Sequence, residues 1–174
     1  MLYPQQNNYR TLFDLSGFWK IKADPQNLGH DEKWYSSNLE GDTHTIAIPG
    51  SWNEQLEEQG LKNYVGKAWH ETTFRIPQAI QKDHKIWLRI GAADHKAEVW
   101  LNGENVGSHF GGYMPFGVDL TESLNKSGEV NHLVVCVDSS LSMHSLPQGV
   151  DPESDLYNTK NYDRRHLFPA TRFD

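Results

Sequence analysis

The strongest constraint on the fold of this chain is a period of two. In "GFWKIKAD" (17–24), Trp19, Ile21 and Ala23 alternate with Phe18, Lys20 and Lys22. "AWHETTFRIP" sets Trp69, Glu71, Thr73 and Arg75 opposite Ala68, His70, Thr72, Phe74 and Ile76, and "KIWLRIGA" sets Ile86, Leu88 and Ile90 opposite Trp87 and Arg89. "HTIAIPG" (44–50), "AEVWLNG" and "NHLVVCVD" complete the set. Alternate side chains of a strand point to opposite faces, so each segment predicts a strand with a face that another layer must cover. Aromatic and β-branched enrichment agrees with that reading.

Turn chemistry separates the strands. Asn102-Gly103 supplies the two positive-φ positions of a tight hairpin, and Gly111-Gly112 allows a second reversal or a bulge that aims Tyr113 and Phe116. Pro115 keeps that segment out of a central ladder position. Helical signal is confined to one or two turns in "WNEQLEEQGLKNY", stopped by Gly60, and a single turn in "DLTESLN" capped by Thr121. Short strands punctuated in this way predict an all-β sandwich in one domain, residues 1–174. From Ser139 to Asp174 the chain turns to Ser, Asp, Asn and Pro, which predicts a long irregular excursion over 139–174.

The formal charge of −7, with no Lys/Arg run, argues against a nucleic-acid partner. Cys136, the single cysteine, lies in an apolar run and is expected to be buried and unreactive. There is no apolar run of membrane-spanning length and no signal-peptide pattern at the N-terminus, so a cytoplasmic domain without a membrane partner is expected.

Catalytic chemistry is hard to find. Glycoside hydrolysis needs two carboxyl groups facing each other across a sugar. Glu57-Glu58 and Asp151/Glu153/Asp155 sit in polar segments, without the apolar surroundings that make a carboxyl an acid. The nine histidines form no metal-binding spacing, although His95 and His109 could approach across the hairpin, and no metal or cofactor is expected. Trp52, Tyr64 and Tyr113 stand beside turn signals, where a ring could stack on a sugar or pack in the core.

Read together, "DLSGFWKI", "IPGSWNEQ", "KNYVGKAWHE", "KIWLRIGAADHKAEVWLNGENVG", "HFGGYMPFGVDLT", "HLVVCVDSSL" and "LPQGV" resemble, in order, the N-terminal sugar-binding jelly-roll domain of glycoside hydrolase family 2. "WLNG" and "GGYMPF" are shared with its galactosidase and mannosidase members. The joint set, with "NYVGKAW" and "LPQG", is most similar to the glucuronidase branch.

The resemblance implies a galactose-binding-domain-like jelly roll followed in the parent by an immunoglobulin-like domain and a (β/α)₈ barrel, both absent from these residues. The barrel carries two catalytic glutamates, so this chain alone is expected to be inactive. Its implied role is to scaffold the barrel and lend a loop to the sugar pocket. The implied partners are the remaining domains of the polypeptide, a β-glycoside bound by the parent, and further copies in a homo-oligomer. Asp174 matches an aspartate that contacts the sugar hydroxyls, although "HLFPATRFD" departs from the usual run before it. Asn63 matches in position an asparagine that reaches substrate in galactosidases; it could equally start a turn ahead of Gly66. The family pattern places a closing strand after Asp174, so a sheet edge left unpaired is expected. Two alternatives stay open: the N-terminal domain of a β-galactosidase, and a free-standing carbohydrate-binding module with Trp52 or Tyr113 as its exposed platform.

Overall fold

The computed structural model describes residues 4–82 and 84–140. Among the described residues eight strands form: β1 (Gly17–Asp24), β2 (His44–Ile48), β3 (Lys67–Phe74), β4 (Trp87–Ile90), β5 (Lys96–Leu101), β6 (Glu104–Phe110), β7 (Phe116–Asp119) and β8 (Asn131–Asp138). Six make one sheet in the order β2-β1-β3-β8-β5-β6, and β4 pairs with β7 in a second. Every pairing is antiparallel. The result is the all-β sandwich that the alternation predicts.

The core lies between the sheets. Trp19, Ile21, Val99, Leu101, Val135 and Val137 of the large sheet meet Leu88, Ile90 and Val118 of the small one. Trp87 points away from this core and is 59 % exposed, as the alternation of β4 requires.

The outer face of the large sheet is also covered. Trp69, Trp100, Val134 and Cys136 form a second apolar cluster beneath Leu39, Trp34 and Tyr35. These last three come from the connection between β1 and β2, residues 25–43, which folds back as a flap with a short 3₁₀ turn at Trp34–Ser36. Tyr35 stacks on Trp100 with ring centroids 5.1 Å apart and planes within 7°. Two buried carboxylates fasten the flap. Asp24 accepts from Leu28 N (2.8 Å), Gly29 N (3.0 Å) and Trp69 Nε1 (3.0 Å), and Glu71 accepts from Leu39 N (2.5 Å).

The helical expectations hold only in part. α1 (Trp52–Gln55) is a single turn, capped by Ser51 Oγ, which accepts from Asn53 N at 3.2 Å. It stops early because Gln55 turns its amide onto β2, accepting from Ala47 N (2.8 Å) and donating to Ala47 O (2.9 Å). That contact covers an edge strand that would otherwise present unpaired backbone. Around Thr121 the chain makes a hydrogen-bonded turn rather than a helix. The Thr121 hydroxyl donates to Asp119 Oδ1 (2.6 Å) and accepts from Ile86 N (2.9 Å), tying the turn to the start of β4. α2 (Gln78–Gln81) was not anticipated.

Candidate functional site

The segment 51–66, between β2 and β3, is tied down by side-chain hydrogen bonds to its own backbone. Trp52, 1 % exposed, is a core residue, which overturns its reading as an exposed platform. Its neighbour Asn53 turns the other way and acts as a clamp. Asn53 Nδ2 lies 2.9 Å from Leu61 O, 3.0 Å from Lys62 O and 3.1 Å from Tyr64 O. Three carbonyls converge on one amide nitrogen, and Tyr64 N donates to Leu61 O at 3.1 Å to close the turn. Asn63 sits within that turn, exposed. Nothing in sequence reasoning singled out Asn53; the available signal was a poor helix former inside a one-turn helix.

The same connection reaches the end of β8. The Tyr64 hydroxyl donates to Lys67 O (2.6 Å) and accepts from Asp24 N (3.2 Å). Gly66, at φ +145°, receives the Ser139 N–H at its carbonyl (3.0 Å) and donates its own N–H to Ser139 Oγ (3.2 Å). A β-carbon at Gly66 would lie 2.9 Å from the Tyr64 hydroxyl oxygen, so both the backbone angle and the space favour glycine. The Asn63 turn therefore stands beside the point where the chain leaves the sheet towards 141–174. Asp174 lies outside the described residues, as do Asp151, Glu153 and Asp155.

The remaining described candidates make ordinary structural contacts. Glu57 and Glu58 are exposed, and Glu57 pairs with Lys62. His95 and His109 serve as ring contacts, the first edge-on to Phe110 and the second stacked on Phe116 at 4.3 Å. Among the described residues no cluster of three or more His, Cys, Asp or Glu could hold a metal. Cys136 is 2 % exposed, and burial pushes its thiol well above the usual range. His70, fully buried, is pushed down to about 4 by burial and is neutral at physiological pH. Tyr113 is 66 % exposed.

Asp94 is an energetic weak point. It sits where the β4–β5 and β6–β7 crossovers meet, 8 % exposed, with Oδ1 lacking a hydrogen-bond partner among the described residues. A β-carbon on Gly112 would lie 2.3 Å from that oxygen. Burial raises the Asp94 pKa, partly offset by neighbouring His95. A carboxyl with a raised folded pKa contributes its stability below the unfolded value and loses it as pH rises through the folded one. Asp94→Asn is therefore expected to raise stability at neutral pH by about 1 kcal/mol and to flatten its decline above the acid range. Urea unfolding across pH checks this; a variant less stable than wild type at neutral pH would contradict it.

A six-stranded and a two-stranded antiparallel sheet packed face to face define a class, the all-β sandwich domains. The family profile described as "Glycosyl hydrolases family 2, sugar binding domain" matches residues 12–160. The chain belongs to glycoside hydrolase family 2, as its N-terminal sugar-binding domain. A beta-glucuronidase of Paenibacillus borealis is 39 % identical over 149 residues, covering 86 % of this chain and 24 % of that protein. The human beta-glucuronidase is 31 % identical over 183 residues, covering 100 % and 28 %. Among solved structures, an uncultured Clostridium beta-glucuronidase superposes with a TM-score of 0.78 at 38 % identity, covering 86 % of this chain and 26 % of that one. A Ruminococcus gnavus beta-glucuronidase in complex with D-glucuronic acid gives 0.78 at 35 % identity, covering 86 % and 25 %. The chain thus spans about a quarter of the length of the relatives it matches. Among the described residues, no helix is long and apolar enough to cross a membrane.

Proposed function

We propose that this chain is the N-terminal domain of a cytoplasmic β-glucuronidase, a jelly roll that scaffolds the catalytic barrel of an oligomeric parent and lends it a loop. The observation that carries the reading is the match of residues 12–160 to the family's sugar-binding domain, together with the 39 % identity to a beta-glucuronidase. On this reading Asn63 and Asp174 both contact the sugar in the parent's pocket. An ionised aspartate is acceptor-only and can take two sugar hydroxyls at once, while an asparagine amide both donates and accepts. Bond cleavage belongs to the parent's glutamate pair, by retaining hydrolysis.

The test uses the full-length parent with nitrophenyl β-glucuronide, β-galactoside and β-mannoside, beside the isolated chain. The expected result is a silent chain and a parent that prefers the glucuronide. In the parent, Asp174→Ala is expected to lower kcat/KM about a hundredfold, the effect of losing charged hydrogen bonds worth roughly 3 kcal/mol, and Asn63→Ala about tenfold. Preference for another glycoside would overturn the substrate, an unchanged Asp174→Ala enzyme would remove that residue from the pocket, and turnover by the isolated chain would overturn the division of labour.

A further inference from the structure

The sequence contains one Asn-Gly pair, Asn102-Gly103, at the tip of the β5–β6 hairpin. Both residues have positive φ, 52° and 86°, as a tight two-residue hairpin turn demands. Asn102 does more than turn the chain. Its Nδ2 donates to Ser123 O (2.8 Å) and Asn131 Oδ1 (3.1 Å). Its Oδ1 accepts from His132 N (2.9 Å) and Asn125 Nδ2 (3.2 Å). Asn131, 1 % exposed, also accepts from Asn125 N at 2.8 Å. The amide orientation is fixed by its neighbours, because the Ser123 carbonyl needs a donor and the His132 N–H needs an acceptor. Three asparagines thereby lock the hairpin tip to the connection between β7 and β8.

An Asn-Gly pair is also the sequence most open to cyclisation, since glycine offers no side chain to hinder attack by its amide nitrogen. We propose that Asn102-Gly103 is a latent deamidation site whose rate is set by opening of this asparagine clamp. In the open state the Gly103 nitrogen, its proton taken by solvent base, attacks Asn102 Cγ. A C–N bond forms and ammonia leaves with a solvent proton, giving a succinimide. Water then opens the ring at either carbonyl, leaving aspartate or isoaspartate. The product cannot re-form the clamp. A carboxylate oxygen replaces Nδ2 against Ser123 O and Asn131 Oδ1, two acceptors with no proton between them. Closing is therefore blocked after the reaction, and the modification acts as a one-way loosening of the hairpin.

The test follows the purified chain at mildly alkaline pH and physiological temperature, by peptide mass and isoaspartate-specific methyl transfer. In the folded protein Asn102 is expected to deamidate far more slowly than in the same chain held in strong denaturant. Asn131→Ala, which removes one acceptor of the clamp, is expected to speed the reaction at Asn102 about tenfold, the factor for losing roughly one buried hydrogen bond. Should that variant not fold, graded sub-denaturing urea on the wild type gives the same information: the rate rises in step with amide exchange at the hairpin tip. Asn102→Asp is expected to melt lower than wild type. Equal rates in folded and denatured chains, a rate unmoved by Asn131→Ala or by urea, or first reaction at another asparagine in the denatured chain would each overturn the proposal.

Discussion

Asp24→Ala is expected to cost about 4 kcal/mol, the loss of one acceptor for three buried donors at roughly 1–2 kcal/mol each. The carboxylate is 2 % exposed and holds Leu28 N, Gly29 N and Trp69 Nε1 within 3.0 Å. Alanine leaves all three facing a small void, in a place where water entry requires lifting the flap. For a chain of this size the cost corresponds to a fall in Tm of roughly 10 °C. Asp24→Asn keeps one carbonyl oxygen and is expected to lose about half as much. Urea unfolding followed by tryptophan fluorescence measures both, and amide exchange should locate the new opening in residues 25–43. An Asp24→Ala protein within 1 kcal/mol of wild type would mean that Glu71 and the Tyr35–Trp100 stack hold the flap without Asp24.

Neither this carboxylate nor its partner at Glu71 was visible as a fastening in the sequence. Glu71 falls on the outward side of β3, and an outward glutamate in a sandwich ordinarily meets water. The contrary sign was present beside it: Trp69, Trp100 and Cys136 share that face with Glu71. A face carrying two tryptophans is too apolar to be left open, but sequence alone did not say what covers it. The cover, Trp34 and Tyr35, lies in a loop without periodicity, so its packing is decided by distant contacts. The strands were legible because their period survives any tertiary arrangement. α1 takes the shorter of the expected one or two turns because Gln55 bonds the edge of β2 instead of continuing the helix.

The candidate site was less legible than the sandwich. Asn63 and Asp174 entered through family resemblance, since a lone Asn in a turn and a lone Asp carry no physical signal of binding. What the structure adds is the machinery behind Asn63, namely Asn53 on three carbonyls and the Gly66–Ser139 contact. An amide that gathers loop carbonyls leaves no spacing signature, because its partners are backbone atoms whose residue types do not matter. Trp52 was ambiguous for the opposite reason. Beside turn residues a tryptophan suits a core or a platform equally well, and only the packing of α1 against β2 decides between them.

Gly29→Ala is the companion experiment at the flap, with an expected cost of about 3 kcal/mol from overpacking. The added carbon would fall 2.3 Å from Trp69 Nε1 and 2.4 Å from Cε2. The backbone angle at Gly29 is one that alanine accepts, so the whole cost is contact. The indole cannot retreat easily. It is 0 % exposed, its nitrogen is held by Asp24, and its ring lies against His30 at 5.0 Å and Trp100 at 5.1 Å. Asp24 and Gly29 therefore act on one seat, and their effects should not add. Once Asp24→Ala has freed the indole nitrogen, the ring can tilt away from a methyl group at position 29. The double variant is then expected to be about 1–2 kcal/mol more stable than the sum of the single losses predicts. A double-mutant cycle in urea measures that coupling. Simple additivity would show that Trp69 stays fixed without its carboxylate, while Glu71 and the stack of Tyr35 over Trp100 keep the flap on the sheet.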